Sequence, residues 1–112
     1  MTGRSPMHLN VRTYRVGTGS IDELMHRVDR DFAEAMAQEP GFIAYQAIRT
    51  GERTVASVTV FHDAEQAKAS NELAAQWIAE NLRDFEIESM GRFGGEVMVS
   101  RAVAEILEPA HR

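Results

Sequence analysis

Apolar and polar residues alternate from Met7 to Val16. Met7, Leu9, Val11 and Thr13 fall on one side, and His8, Asn10, Arg12 and Tyr14 on the other. A period of two is the signature of a strand with one apolar and one polar face. Gly17 and Gly19 end it. From Ser20 the period becomes helical: Ile21, Leu24, Met25, Val28, Phe32, Ala35 and Met36 form one stripe. Ser20 with Glu23 makes a capping box, and Pro40-Gly41 stops the helix.

The next two runs, Phe42 to Arg49 and Thr54 to Phe61, predict strands joined by the short turn Thr50-Gly51-Glu52-Arg53. Gly51 is available there for a positive φ. The later strand is rich in β-branched residues and nearly free of charge, which suits the middle of a sheet. Asp63, with Gln66 three residues on, caps a second helix. Glu65, Lys68, Glu72, Gln76 and Glu80 share one side of it. Ala67, Ser70, Ala74, Trp77, Ile78 and Asn81 lie opposite, with Asn71 on the flank. The inward side is therefore small and partly polar. Beyond Leu82 the period fades, and residues 83–95 contain three glycines. Glu96 to Arg101 predicts a last strand, with Val97 and Val99 on one side. Residues 1–6 read as a loose N-terminus, 7–101 as one domain and 102–112 as a tail.

The order β-α-β-β-α-β with right-handed crossovers predicts a ferredoxin-like α+β fold: an antiparallel sheet with both helices on one face. Yet the strands carry apolar residues at both parities, Val58 and Val60 one way, Val55 and Phe61 the other. Two helices cover one face, so the other requires a partner. A twofold homodimer packed sheet to sheet is the simplest solution.

Composition narrows the function classes. The net charge of −5 argues against nucleic acid, which needs clustered Lys and Arg. There is no cysteine, so disulfides, thiolate nucleophiles and cysteine-held metals are excluded. No apolar run approaches a membrane span, and the first residues do not resemble a signal peptide, so the expected location is cytoplasmic. No GxGxxG, Walker loop or histidine-carboxylate cluster is visible, so no cofactor and no metal are expected. His8, His26 and His111 lack metal-ligand spacing.

Three groups can carry chemistry. Asn10, Arg12 and Tyr14 place an amide, a cation and a phenol on one strand face, suited to holding an oxygenated ligand. The same face also suits solvent or a dimer contact. His62 can serve as a base near neutral pH, or merely end a strand. Ser70, Asn71, Trp77 and Asn81 on the inward helix face need polar partners, from a ligand or from bridging water.

Pro40-Gly41-Phe42, the strand Ser57 to Phe61, the helix with Ser70-Asn71, Ala74-Ala75, Trp77 and Glu80-Asn81-Leu82, and Gly95 to Val97 carry a resemblance. From Met7 to Arg101 the chain resembles the dimeric α+β barrel proteins related to the antibiotic biosynthesis monooxygenases. The resemblance implies an oxidoreductase: a cofactor-independent monooxygenase acting on a small aromatic or quinol-type substrate. The alternative is a non-catalytic ligand-binding or stress-related dimer, and a third class is an assembly module without a pocket. In heme-degrading relatives an asparagine on the first strand works with a tryptophan and a histidine on the second helix. Asn10 matches the first, but Ser70 and Ala79 fall at the other two positions, which puts heme degradation in doubt. The resulting expectation is a pocket between the sheet and the second helix. In it, His62 and Asn10 are catalytic, and Arg12, Asn71 and Trp77 bind substrate.

Overall fold

The computed structural model describes residues 7–102. The expected loose N-terminus and nearly all of the expected tail, including the turn before Pro109, lie outside the described residues. Four strands form one antiparallel sheet: β1 (His8–Val16), β2 (Phe42–Arg49), β3 (Thr54–Phe61) and β4 (Ile87–Glu96). Their order across the sheet is β2-β3-β1-β4. This is the ferredoxin-like arrangement that βαββαβ connectivity predicts. The third strand is indeed interior, paired to β1 and β2.

The first helix starts where expected, with Ser20 Oγ accepting from the Glu23 N–H at 3.0 Å. It runs as α1 (Ile21–Arg27), a π-helical turn (Val28–Phe32) and α2 (Ala33–Ala37). Its stripe explains the turn. Leu24, Val28, Phe32 and Met36 follow one another in steps of four and all are buried. In a 3.6-residue helix each such step drifts by about 40°. A wider turn resets the drift and keeps all four side chains on the sheet. The helix ends as Pro40 and Gly41 require. Gly41 adopts φ 79°, and a Cβ there would collide with the Gln66 side chain. In the hairpin turn, by contrast, Gly51 is not among the positive-φ residues, so the expected use of that glycine is not made.

α3 (Ala64–Asn81) is capped by Asp63, whose carboxylate accepts from the Gln66 N–H at 2.8 Å. It lies on the same sheet face as the first helix. Phe32 touches Tyr45 and Trp77 with ring centroids 5.5 and 5.1 Å apart, which ties β2, the first helix and α3 together. A short 3-10 turn, Arg83–Phe85, plugs the end of the core with Phe85.

The last strand is a correction. β4 occupies Ile87–Glu96, whereas residues 97–100 are not in a strand. β4 is an edge strand that is mostly exposed, so it needs little apolar pattern. One irregularity interrupts its ladder with β1, between Thr13 and Tyr14. There Met90 has no partner and Gly91 takes φ 150°.

Candidate functional site

Strand alternation turns Asn10, Arg12, Tyr14 and Val16 toward the helices, because Asn10 and Arg12 both bond to α3. Cross-strand register extends this side into rows. Tyr45, Thr59, Asn10 and Gly94 form one; Ala47, Ser57, Arg12 and Arg92 the next; Arg49, Val55, Tyr14 and Ser89 a third. The helix-facing layer thus carries a polar band through an otherwise apolar core.

Asn10 is buried, and its Nδ2 donates to the Ala67 carbonyl at 2.9 Å. Ser70 Oγ donates to the same carbonyl at 2.6 Å. Arg12 is only 4% exposed, and its Nη1 donates to Asn71 Oδ1 at 2.7 Å. Its Nε and Nη2 are buried without a partner in good hydrogen-bond geometry, as is Thr59 Oγ1, and the Tyr14 hydroxyl is the guanidinium's other side-chain neighbour. Leaving such donors unpaired costs about 1–3 kcal/mol each, more for a charged group. Among the described residues no carboxylate pairs with Arg12.

Beside this band lies a cavity of about 40 Å³ between the sheet and the helices. Its walls include Tyr14, Tyr45 and Ser57 from the sheet, Phe32 from the π turn, and Trp77 and Ile78 from α3. That volume holds a few waters. Trp77, Ile78 and the nearby lining residue Met25 are only partly buried, so a ring system enters by displacing side chains that already border solvent. Burial raises the pKa of both phenols, Tyr14 and Tyr45, while the charge of Arg12 pulls each the other way. Both therefore keep their protons at neutral pH. Arg12 is not itself in the wall, but its neighbours Ser57 and Tyr14 are, and its field reaches both phenols.

The expected site residues divide. Trp77 lines the cavity. Asn71 holds Arg12, and Asn10 is committed to the backbone of α3. His62 is a correction: it is exposed, it is not in the cavity wall, and its backbone N–H bonds to the Gly41 carbonyl at 2.9 Å. Strand parity explains this, since Phe61 is fully buried and the next side chain faces the other way. Of the two heme-related positions, Ser70 is buried against the Ala67 carbonyl and Ala79 is exposed. No local pattern in the sequence singles out Tyr45, Ser57 or Thr59. Their signal was the register, with Tyr45 and Thr59 opposite each other and Ser57 opposite Arg12. Among the described residues no group of acidic, histidine or cysteine side chains can hold a metal ion. No helix among them is long and apolar enough to cross a membrane.

No family model and no curated protein sequence matches this chain. Solved structures do. SnoaB, a cofactor-independent oxygenase from Streptomyces nogalater, superposes with a TM-score of 0.60 at 17% identity, over 88% of this chain and 98% of that one. The heme-degrading protein Rv3592 of Mycobacterium tuberculosis gives 0.61 at 21% identity, over 88% and 99%. A candidate antibiotic biosynthesis monooxygenase from Chloroflexus aurantiacus gives 0.64 at 19%, over 86% and 97%. The chain has the ferredoxin-like α+β fold of the antibiotic biosynthesis monooxygenase-like proteins.

Proposed function

We propose that the chain is a cofactor-independent oxygenase that binds a small conjugated phenol or quinol between the sheet and α3. The observation that carries this reading is the buried Arg12 guanidinium beside an aromatic cavity. A cation at that place favours the phenolate over the phenol. Tyr14 and Tyr45, which keep their protons, are donors for the resulting oxyanion. Trp77 and Phe32 supply flat apolar surface for the ring.

In the reaction this supports, the bound phenolate passes one electron to dioxygen. The radical pair collapses to a hydroperoxide, and loss of water leaves the quinone. One ring carbon, the CH₂ of an anthrone or the ring CH opposite the phenol oxygen, becomes C=O and one dioxygen is consumed, with one oxygen atom ending in the quinone and the other in water. The protein's part is to ionise the ring oxygen and to exclude bulk water. Asn71 and Asn10 are scaffold in this reading, and His62 stands outside it.

One observation favours a second reading. The described cavity wall has no side chain that titrates near neutral pH, so the protein supplies no evident base and serves as a binder of such molecules. Oxygen uptake with a panel of hydroquinones and anthrones separates the two. Uptake above buffer that falls in Tyr45→Phe supports the oxygenase; tight binding with no uptake supports the binder; neither removes both.

The same proposal includes a homodimer. The sheet face away from the helices carries Leu9, Val11, Val58, Val60 and the exposed Ile48 and Phe93. A second copy is the occupant its shape suits, since one open sheet complements another.

A further inference from the structure

We infer that the ligand of this site carries a carboxylate, taken by Arg12 and Arg92 together, on a flat apolar body that fills the cavity. The inference rests on the pocket reading above. Arg12 and Arg92 are direct partners in the β1–β4 ladder, so both lie on the helix side. Residues so opposed have Cα atoms about 4.5–5.5 Å apart. Like charges directly opposite destabilise a sheet. Among the described residues no carboxylate cancels the pair. Among the described residues neither arginine makes an ion pair. The rows on either side hold Tyr45, Thr59, Asn10, Val55, Tyr14 and Ser89, with no carboxylate. Two buried nitrogens of Arg12 also lack a partner in good hydrogen-bond geometry, the Tyr14 hydroxyl being its polar neighbour on the cavity side.

The two arginines differ in a useful way. Arg12 is buried and held by Asn71, whereas Arg92 is exposed on the edge strand β4. An incoming anion meets the exposed charge first and the buried one behind it. Tyr14, which lines the cavity, is the next residue on the same side of β1 as Arg12, so anion and ring are within one small molecule's reach. A carboxylate matches the planar fork of a guanidinium.

The test is calorimetric titration of the full chain with 2-naphthoate, its methyl ester and 2-naphthol, at neutral pH and low salt. Arg92→Gln is compared with wild type, because an exposed edge residue can be replaced without loss of the fold. The expected result is at least tenfold tighter binding of the acid than of the ester. In Arg92→Gln that preference should fall below threefold while the ester binds as before. Equal binding of acid and ester, or a preference that survives in Arg92→Gln, overturns the carboxylate inference and leaves the pocket reading standing. No binding of any of the three overturns both.

Discussion

Arg12 Nη1 donates to Asn71 Oδ1 across 2.7 Å, tying the middle of β1 to the middle of α3. It joins two residues 59 positions apart, and the Tyr14 hydroxyl is the other side-chain partner of that guanidinium. Around it α3 presents only small buried side chains, Ala67, Ser70 and Ala74. Asn71→Ala should therefore destabilise by about 1–3 kcal/mol, because it strands a buried cation. Arg12→Met should leave stability unchanged or higher, since it removes that cation while keeping bulk. Urea unfolding of the two variants checks the pair; equal losses would mean Arg12 is not a net cost to the fold.

The chain has two tyrosines, and both line the cavity with raised pKa values. Native protein should show little tyrosinate absorbance near pH 10, the ordinary phenol value. The sign for stability follows. Both folded pKa values lie above the unfolded ones, so the contribution is whole below pH 10 and is lost as pH climbs from there toward the folded values. Alkaline titration at 295 nm, run beside far-UV circular dichroism, should show ionisation and unfolding rising together. Tyrosinate forming in a folded protein near pH 10 would contradict the burial of these rings.

Phe32 is buried and touches both Tyr45 and Trp77, whereas Trp77 is only partly buried. Phe32→Ala should cost about 3–5 kcal/mol. Trp77→Ala should cost less and weaken ligand binding more. Denaturation midpoints and calorimetry on both variants rank the two effects. A larger stability loss at Trp77 would make it core rather than cavity wall.

Val58 sits near the centre of the face turned away from the helices. Val58→Asp should convert a dimer to a single-chain mass, because a buried unpaired charge is strongly unfavourable. Light scattering at micromolar concentration reads the change. Wild-type protein with the mass of one chain would remove the dimer altogether.

How far the residues alone foretold this picture varies with the element. Both helix caps, the helix stop and three strands could be read because each has a local cause: a side-chain oxygen, a proline-glycine pair, or a period of two. β4 could not. Its Gly91, Gly94 and Gly95 carry no pattern, and an edge strand is held by its ladder more than by its side chains. The π turn left a trace, the successive steps of four through Leu24, Val28, Phe32 and Met36. For the site, Trp77 could be found from helix phase. The outward turn of His62 is not visible in the sequence, because the residue after Phe61 takes the opposite face, and that face is known only once Phe61 is seen to point inward. Tyr45 and Thr59 required the pairing of β2 with β3, a long-range fact no local window contains.

The irregularity at Met90 works as a phase corrector for β4. Side chains on a strand alternate, so an added residue sends everything beyond it to the wrong side unless the ladder absorbs it. The unpaired Met90 and the glycine-only φ of Gly91 absorb it here, and Arg92 returns to the side of Arg12. Removing Met90 should then be tolerated, since a regular ladder with the same partners remains. Replacing Gly91 with valine acts in the opposite direction. It resists the absorbing conformation, and the strand then either strains or slips by one residue. A slip would carry the Arg92 charge onto the apolar face and turn Phe93 inward. The identity of both faces at that end of the sheet thus depends on a residue with no side chain of its own.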